Sequence, residues 1–428
     1  MSGSRIEVVG RPGEPSPAPF HRARLPNGLR VLVRPSAAVP IVAIDCWLAV
    51  GALDETDEHA GVSHFLEHMF FKGTRRFPAG TMDRMVKEMG GYNNAATSME
   101  YTHYYIVAPS EHFSTALDLL ADHVAEPALP ADELDRERQV IKEEIRRKDD
   151  TPSGRLFTLL QAAAFGPTPY AREILGTPES LDRIDRAAME AYWRSHYTAD
   201  RLVVAVAGAV DPEDAIGAVA VRFADLPGGP GPAAPPVTPA PRPMVVHETM
   251  DLGQSYLAWG YATAGRDDLG EICALEVAAS ILGDGMTSRF YRRLVEELRL
   301  VTMINAWTYG LMRVGLLGVD AICAPGRQEA VEAEVAGILD ATVRNGVSEK
   351  EVRRAQAMLA ADFAYDNETN ASLTGTLGEF EVLYGDAERY RDVLAGIARV
   401  TPDDVGAALA RRLRSDAAVR VSVGPDGA

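Results

Sequence analysis

Cysteine is scarce: the 428 residues contain three, Cys46, Cys273 and Cys323, odd in number, far apart and in no C-x-x-C arrangement. That excludes a disulfide framework and a cysteine zinc knuckle, and three unpaired thiols suit a reducing compartment, which places the chain in the cytoplasm. Positive charge is the minority, 43 Lys and Arg against 61 Asp and Glu, for a formal charge of −18. A phosphate-seeking surface would have to be built against that field, so nucleic acid is not expected as a partner. Long apolar runs are missing as well. The longest, residues 39–53, is interrupted by Asp45, and the first twenty residues lack a basic start followed by an apolar core. Neither a membrane span nor a secretory signal is expected.

What is present is ordinary globular composition, 46% hydrophobic and 24% charged, enough for two or three packed cores. Its character changes once, at residues 227–243 (PGGPGPAAPPVTPAPRP), where Pro and Gly leave little to build helix, strand or core. This reads as a semi-extended linker. It divides the chain into an N-terminal domain over 21–226 and a C-terminal domain over 244–428, with residues 1–20 expected to be disordered. Alternating and β-branched runs predict strands near 29–33, 39–50, 104–108 and 202–206, then 255–262, 315–322 and 419–423. Helix-period segments lie between them, including 269–282 and 286–300. A short echo, WLAVGALDE from Trp47 and WGYATAGRDD from Trp259, suggests that one α/β unit occurs twice.

Eight of the nine histidines lie at or before His196, so a histidine metal site belongs to the first half. There, residues 62–73 read VSHFLEHMFFKG. On a helix His64, Glu67 and His68 fall within about 100° of one another. Val62, Phe65, Leu66, Met69 and Phe70 make the opposite, apolar stripe. Two imidazoles one turn apart can reach one Zn²⁺, and a carboxylate on the same edge can take a proton from water held there, which is the make-up of a hydrolytic site. The plainer reading is an amphipathic surface helix whose wet side happens to carry His, Glu and His.

A peptidase zinc needs a third protein ligand and one open position. Residues 132–147, DELDRERQVIKEEIRR, have a helical apolar period at Leu134, Ile141 and Ile145. Glu143 falls about 200° from Ile141 and should face solvent, whereas Glu144 falls about 60° from it and is the better ligand. Glu137, seven residues earlier and about 10 Å up the same line, is either a carboxylate supporting that site from behind or an exposed ion-pair residue.

These segments resemble the inverted H-x-x-E-H zinc peptidases that include pitrilysin, insulin-degrading enzyme and the mitochondrial processing peptidase. HFLEHMFFKGT from His64 looks like their metal helix, and ERQVIKEE from Glu137 resembles the segment with the third ligand, 76 residues beyond His68. GGYNNAATSMEYTHYY from Gly90, PYAREILGTPESL from Pro169 and HYTADRLVVAVAGAVD from His196 match later landmarks, so the resemblance runs along nearly the whole chain. It implies an α+β fold of two homologous domains, each a mostly antiparallel sheet flanked by helices, together forming half of a clam-shell that closes around small or unfolded peptides. It further implies one zinc held by His64, His68 and Glu144, with Glu67 as general base and Glu137 as a supporting glutamate. Asn94, Ala95 and Thr97 would lie on the edge strand that pairs with extended substrate.

The second half departs from that pattern. Self-sufficient members carry an arginine and, seven residues later, a tyrosine that help hold substrate and oxyanion; alignment on EELRLVT puts Val295 and Thr302 at those positions. The resemblance therefore leads to a heterodimer in which a homologous partner supplies the missing pair. The alternatives are a homodimer, or a one-residue slip that brings Arg292, Arg293 or Arg299 into the role. Two further readings are a non-catalytic scaffold, as in respiratory-chain core proteins similar to this family, and a shell that binds peptides without cutting them.

Overall fold

The structure is a computed structural model and describes residues 7–9, 19–232, 243–413 and 418–425. The first sheet comprises β1 (Glu7–Val9), β2 (Phe20–Arg24), β3 (Arg30–Pro35), β4 (Ile41–Leu48), β5 (Tyr92–Thr97), β6 (Thr102–Pro109) and β7 (Leu202–Gly208). Their spatial order is β1-β2-β3-β7-β4-β6-β5, and only β3 and β7 run parallel. The second sheet comprises β8 (Met244–Thr249), β9 (Ser255–Thr263), β10 (Val301–Gly310), β11 (Gly315–Cys323) and β12 (Val419–Gly424). Its order is β10-β11-β9-β12-β8, with only β12 and β8 parallel.

Read outward from the parallel pair, β3-β7-β4-β6-β5 and β8-β12-β9-β11-β10 have the same chain order and the same strand senses. The two domains are repeats of one α+β motif, and the echoing Trp47 and Trp259 stand on the equivalent strands β4 and β9.

The compact units are not the contiguous halves that the linker suggested. The first comprises Met1–Ile145, Glu173–Pro235 and Ala364–Tyr390; the second comprises Arg146–Arg172, Pro236–Phe363 and Arg391–Ala428. The physical reason is that a buried sheet needs cover on both faces, and in each repeat one face is covered by a helix encoded in the other half. Helix Asn370–Tyr384 packs on β4 and β7, so closely that a Cβ on Gly378 would lie 2.2 Å from Trp47 Cδ1. Its Glu381 is buried and receives Arg22 at 3.1 Å and Arg30 at 3.2 Å. In the second unit the Pro152–Phe165 helix packs on β9 and β12, with Leu160 over Gly260.

Three further findings amend or refine the expectations. Within the first twenty residues, Glu7–Val9 is a strand paired antiparallel with β2, while residues 1–6 and 10–18 lie outside the described ones. The first residues of the linker are docked on the first unit. The Pro227 carbonyl accepts from Ala199 N at 2.8 Å, and Thr198 Oγ1 donates to the Gly229 carbonyl at 2.6 Å; residues 233–242 fall outside the description. Over 286–300, the only element carried through is a π-helical turn, Tyr291–Glu297, followed by Arg299 in the left-handed region at φ +51°. No described helix is long and apolar enough to cross a membrane.

The helices that position the site are α1 (Val62–Phe70), α2 (Thr81–Glu88), α3 (Phe113–Ala125) and α4 (Ala131–Asp149). On α1 the stripe Val62, Phe65, Leu66, Met69 and Phe70 is at most 2% exposed and joins the first core. Burial of each larger side chain is worth roughly 1.5–3 kcal/mol, which fixes the rotation of α1 and turns its other edge outward from the core. Leu134, Ile141 and Ile145 anchor α4 in the same core.

Candidate metal centre

Glycine and a distant carboxylate set the start of α1. Gly61 takes φ +93°, and a Cβ there would meet the Leu175 carbonyl at 2.6 Å, so only glycine fits. No side chain at that position caps the helix. Glu55, 3% exposed, instead accepts from Gly61 N at 2.7 Å and Ser63 N at 2.8 Å. These are two of the N–H groups that a helix start leaves unpaired, and a carboxylate also suits the positive end of the helix dipole.

From this fixed start, His64 and His68 project toward α4. Glu144 Oε2 stands 3.8 Å from His64 Nε2 and 3.6 Å from His68 Nε2, and one ligand atom of each residue lies within 4.8 Å of the others. Neighbouring ligands on a tetrahedral zinc at bond lengths of about 2.0–2.2 Å are roughly 3.3–3.6 Å apart, so the donor set and spacing fit zinc with little movement. Two further observations agree with that fit. His64 is buried and its Nδ1 has no hydrogen-bond partner, so Nε2 is its polar contact with the site. Burial and the adjacent His68 also push His64 down to about 4, which keeps the imidazole neutral and able to ligate.

Behind the site, Glu137 Oε2 lies 3.0 Å from His68 Nδ1, and its other oxygen is 2.6 Å from Lys72 Nζ. The carboxylate fixes the ring so that Nε2 faces Glu144. Burial works against Glu137's charge, but Lys72 and His68 outweigh it and hold its carboxyl below the ordinary range. Burial similarly opposes charge on His68, yet Glu144 and Glu137 raise it. Glu143 is exposed, and so is the neighbouring Val140, at 48%.

Glu67 extends from the same edge of α1 to the end of β5, where Thr97 Oγ1 donates to its Oε2 at 2.5 Å. Burial raises the Glu67 carboxyl against the opposing pull of Thr97 and His68. Among the described residues β5 pairs only with β6 and forms the sheet edge, so Asn94, Ala95 and Thr97 are on a strand with one side unpaired by them. Asn94 is exposed, whereas Ala95 packs against the first core. Thr97 thus has a second capacity that its strand position did not indicate: it holds the carboxylate of Glu67. In the second unit, Val295 packs on the second core, and Thr302 Oγ1 donates to the Ile322 carbonyl at 3.3 Å.

Glu55, Lys72 and the Thr97–Glu67 bond were not found by sequence reasoning. The available signal for Glu55 was an acidic residue ahead of a helix with no side-chain cap, but its six- and eight-residue spacings fit no capping motif.

Residues 30–178 match the family described as Insulinase (Peptidase family M16), and residues 183–359 match Peptidase M16 inactive domain. An uncharacterized zinc protease of Mycobacterium tuberculosis is 33% identical over 95% of this chain and 93% of its own length. The chain belongs to the M16 peptidase family. Another uncharacterized zinc protease, from Bacillus subtilis, is 28% identical to this M16 chain over 94% of it and 97% of the relative. Among solved structures, a protease from Helicobacter pylori superposes with a TM-score of 0.88 at 22% identity, covering 99% of this chain and 100% of that one. A chain of complex III2 from Candida albicans superposes at 0.81 with 18% identity, covering 94% and 95%. At those identities the structural likeness speaks for the fold alone.

Proposed function

We propose that this M16 chain is a zinc endopeptidase acting on small or unfolded peptides. The observation that carries the reading is the convergence of His64, His68 and Glu144 within 4.8 Å, beside a carboxylate that Thr97 holds by a 2.5 Å hydrogen bond at the end of the edge strand β5. His64, His68 and Glu144 would hold the ion, and Zn²⁺, when bound, would supply a Lewis acid that polarises a carbonyl and acidifies water. Glu67 accepts the proton of the attacking water and delivers it to the leaving amine. A raised carboxyl suits that exchange, and Thr97 keeps it aimed. Glu137 fixes the tautomer and plane of His68. The unpaired N–H and C=O groups of β5 receive an extended peptide along Asn94, Ala95 and Thr97, which favours unfolded substrates over folded ones.

The scaffold and non-cutting shell readings do not account for a complete ligand set with a general base beside it. Val295 and Thr302 carry neither the cation nor the phenol of self-sufficient relatives, which supports a homologous partner that supplies them, with a homodimer as the alternative. Three free, buried cysteines suit the cytoplasm.

The test uses the purified full chain, alone and with its co-purifying companion, on a mixed peptide set read by mass spectrometry. Cleavage should stop with a zinc chelator and return with zinc. Glu67→Gln should keep its zinc and lose about 10²–10⁴-fold in turnover, while His64→Ala should lose the zinc itself. Near-normal cleavage by Glu67→Gln would overturn the assignment. Rates unaffected by any companion protein would remove the partner reading while leaving the peptidase.

A further inference from the structure

Strand alternation divides the residues of β5 between two faces of the sheet. Asn93, Ala95 and Thr97 pair with Ile106, Tyr104 and Thr102 on the side of α1. Tyr92, Asn94 and Ala96 pair with Val107, Tyr105 and His103, so they lie on the opposite face, where all three are exposed. Behind them on that face runs a row of rings. Tyr92 meets Tyr105 edge-on at 6.2 Å, Tyr105 lies stacked 5.7 Å from His103, and His103 stacks on Trp47 at 4.1 Å. Both oxygens of the buried Asp45 stand near His103 Nδ1, at 3.1 and 3.2 Å, which fixes the imidazole as a wall. The row is closed at its inner end by Trp47, 3% exposed, and open at its outer end, where Tyr92 is 54% exposed.

We propose that this row is a side-chain subsite for an aromatic residue of the bound peptide, with Tyr92 as its principal contact and Tyr105 behind it. The inference rests on the strand-pairing part of the reading above. A peptide adding to the free edge of β5 must place every second side chain on this face, roughly 5 Å from Tyr92, Asn94 or Ala96. Asn94 and Ala96 are short and leave the space above them to the incoming side chain, while tyrosine and imidazole offer edge-on and offset stacking geometries to a ring. Side chains of the other parity fall toward Thr97 and Glu67 and do not meet these rings. The expected specificity is therefore aromatic at positions of one parity relative to the cut bond.

The experiment scans Phe, Leu, Arg and Ala through each position of one peptide. Cleavage by the full zinc-loaded chain is mapped by mass spectrometry, and binding to the chelator-treated chain is followed by fluorescence anisotropy. Phe should exceed Leu by about 2- to 10-fold at positions of a single parity. Tyr92→Leu, at an exposed site that does not threaten folding, should erase that preference and leave the other positions unchanged; Tyr92→Phe should retain it. Cleavage without a parity-bound aromatic preference, or with one that survives Tyr92→Leu, overturns the subsite and leaves the peptidase. A preference for Arg over Phe overturns the aromatic class. Aromatic-dependent binding that is sensitive to Tyr92 but unaccompanied by cleavage upholds the subsite and overturns the peptidase. Neither binding nor cleavage overturns both.

Discussion

Glu55 offers the sharpest test of how α1 is held, because it grips the backbone at the start of the helix and is not itself one of the candidate ligands. Its carboxylate accepts the Gly61 and Ser63 N–H groups at 2.7 and 2.8 Å in a buried setting. A hydrogen bond to a charged group contributes about 1.5–3 kcal/mol, and a buried donor left without a partner costs about 1–3 kcal/mol. Glu55→Ala should therefore cost about 3–5 kcal/mol, which in a unit of about 235 residues lowers the melting temperature by roughly 10 °C. Ser63 immediately precedes His64, so loosening this turn also displaces the first imidazole. Loss of a comparable supporting contact typically weakens metal binding 10- to 100-fold. Glu55→Gln keeps one acceptor oxygen and should fall between wild type and Glu55→Ala on both scales. The assays are differential scanning calorimetry and zinc competition against a chromogenic chelator. A Glu55→Ala protein that melts at the wild-type temperature and holds zinc as tightly would refute the account of what orients α1.

Other substitutions probe separate parts of the molecule. Glu137→Gln removes the charge behind His68 and should weaken zinc about tenfold or more in the same competition assay without unfolding the chain; unchanged affinity would make Glu137 merely the partner of Lys72. Glu381→Ala leaves Arg22 and Arg30 without the buried carboxylate they share, at a cost of about 3–5 kcal/mol. Urea unfolding should show it lowering the transition of the first unit and sparing that of the second. In the second unit burial works against charge on Glu351, but Arg289 at 2.8 Å and the Ser348 N–H and hydroxyl hold its carboxyl at about 2. Because this folded value lies below the unfolded one of about 4.3, the stabilisation is complete above about pH 4.3 and lost as pH falls toward 2. With the group partly solvated it amounts to about 1–2 kcal/mol. Glu351→Gln should flatten that part of the stability–pH curve, and a curve of unchanged shape would exclude the role.

Legibility from sequence followed how local each determinant is. Helix α1 could be read because its apolar stripe and its His-Glu-His edge lie within nine consecutive residues at one period. Glu144 could be separated from Glu143 because Leu134, Ile141 and Ile145 set the phase of α4. Pairs that depend on two elements meeting could not be read: nothing local joins Lys72 to Glu137, or Thr97 to Glu67, until α4 and β5 are placed beside α1. The exchange of covering helices was equally hidden. Gly378 reads locally as a helix-weakening residue, and only the approach of Trp47 explains it. The proline-rich linker is a real change of composition, but a break in composition marks where the chain is stiff and donor-poor, not which sheet its neighbours cover.

The repeat itself shows why one half offers the candidate metal site. After β4 the chain forms α1, whose apolar stripe leaves one edge for His64, Glu67 and His68. After the equivalent strand β9 it forms helix Leu269–Gly283, in which eleven of fifteen residues are buried and no histidine occurs. A helix surrounded by core has no edge to spare for ligands, since each polar group turned inward would need its own partner. Glu276 illustrates this: burial raises its carboxyl, and its oxygen is taken by Thr308 at 2.5 Å. The second repeat nevertheless retains an end strand, β10, in the position that β5 occupies in the first. The two repeats thus keep the same sheet and the same kind of edge, and differ in whether the helix beside it is amphipathic enough to hold an ion.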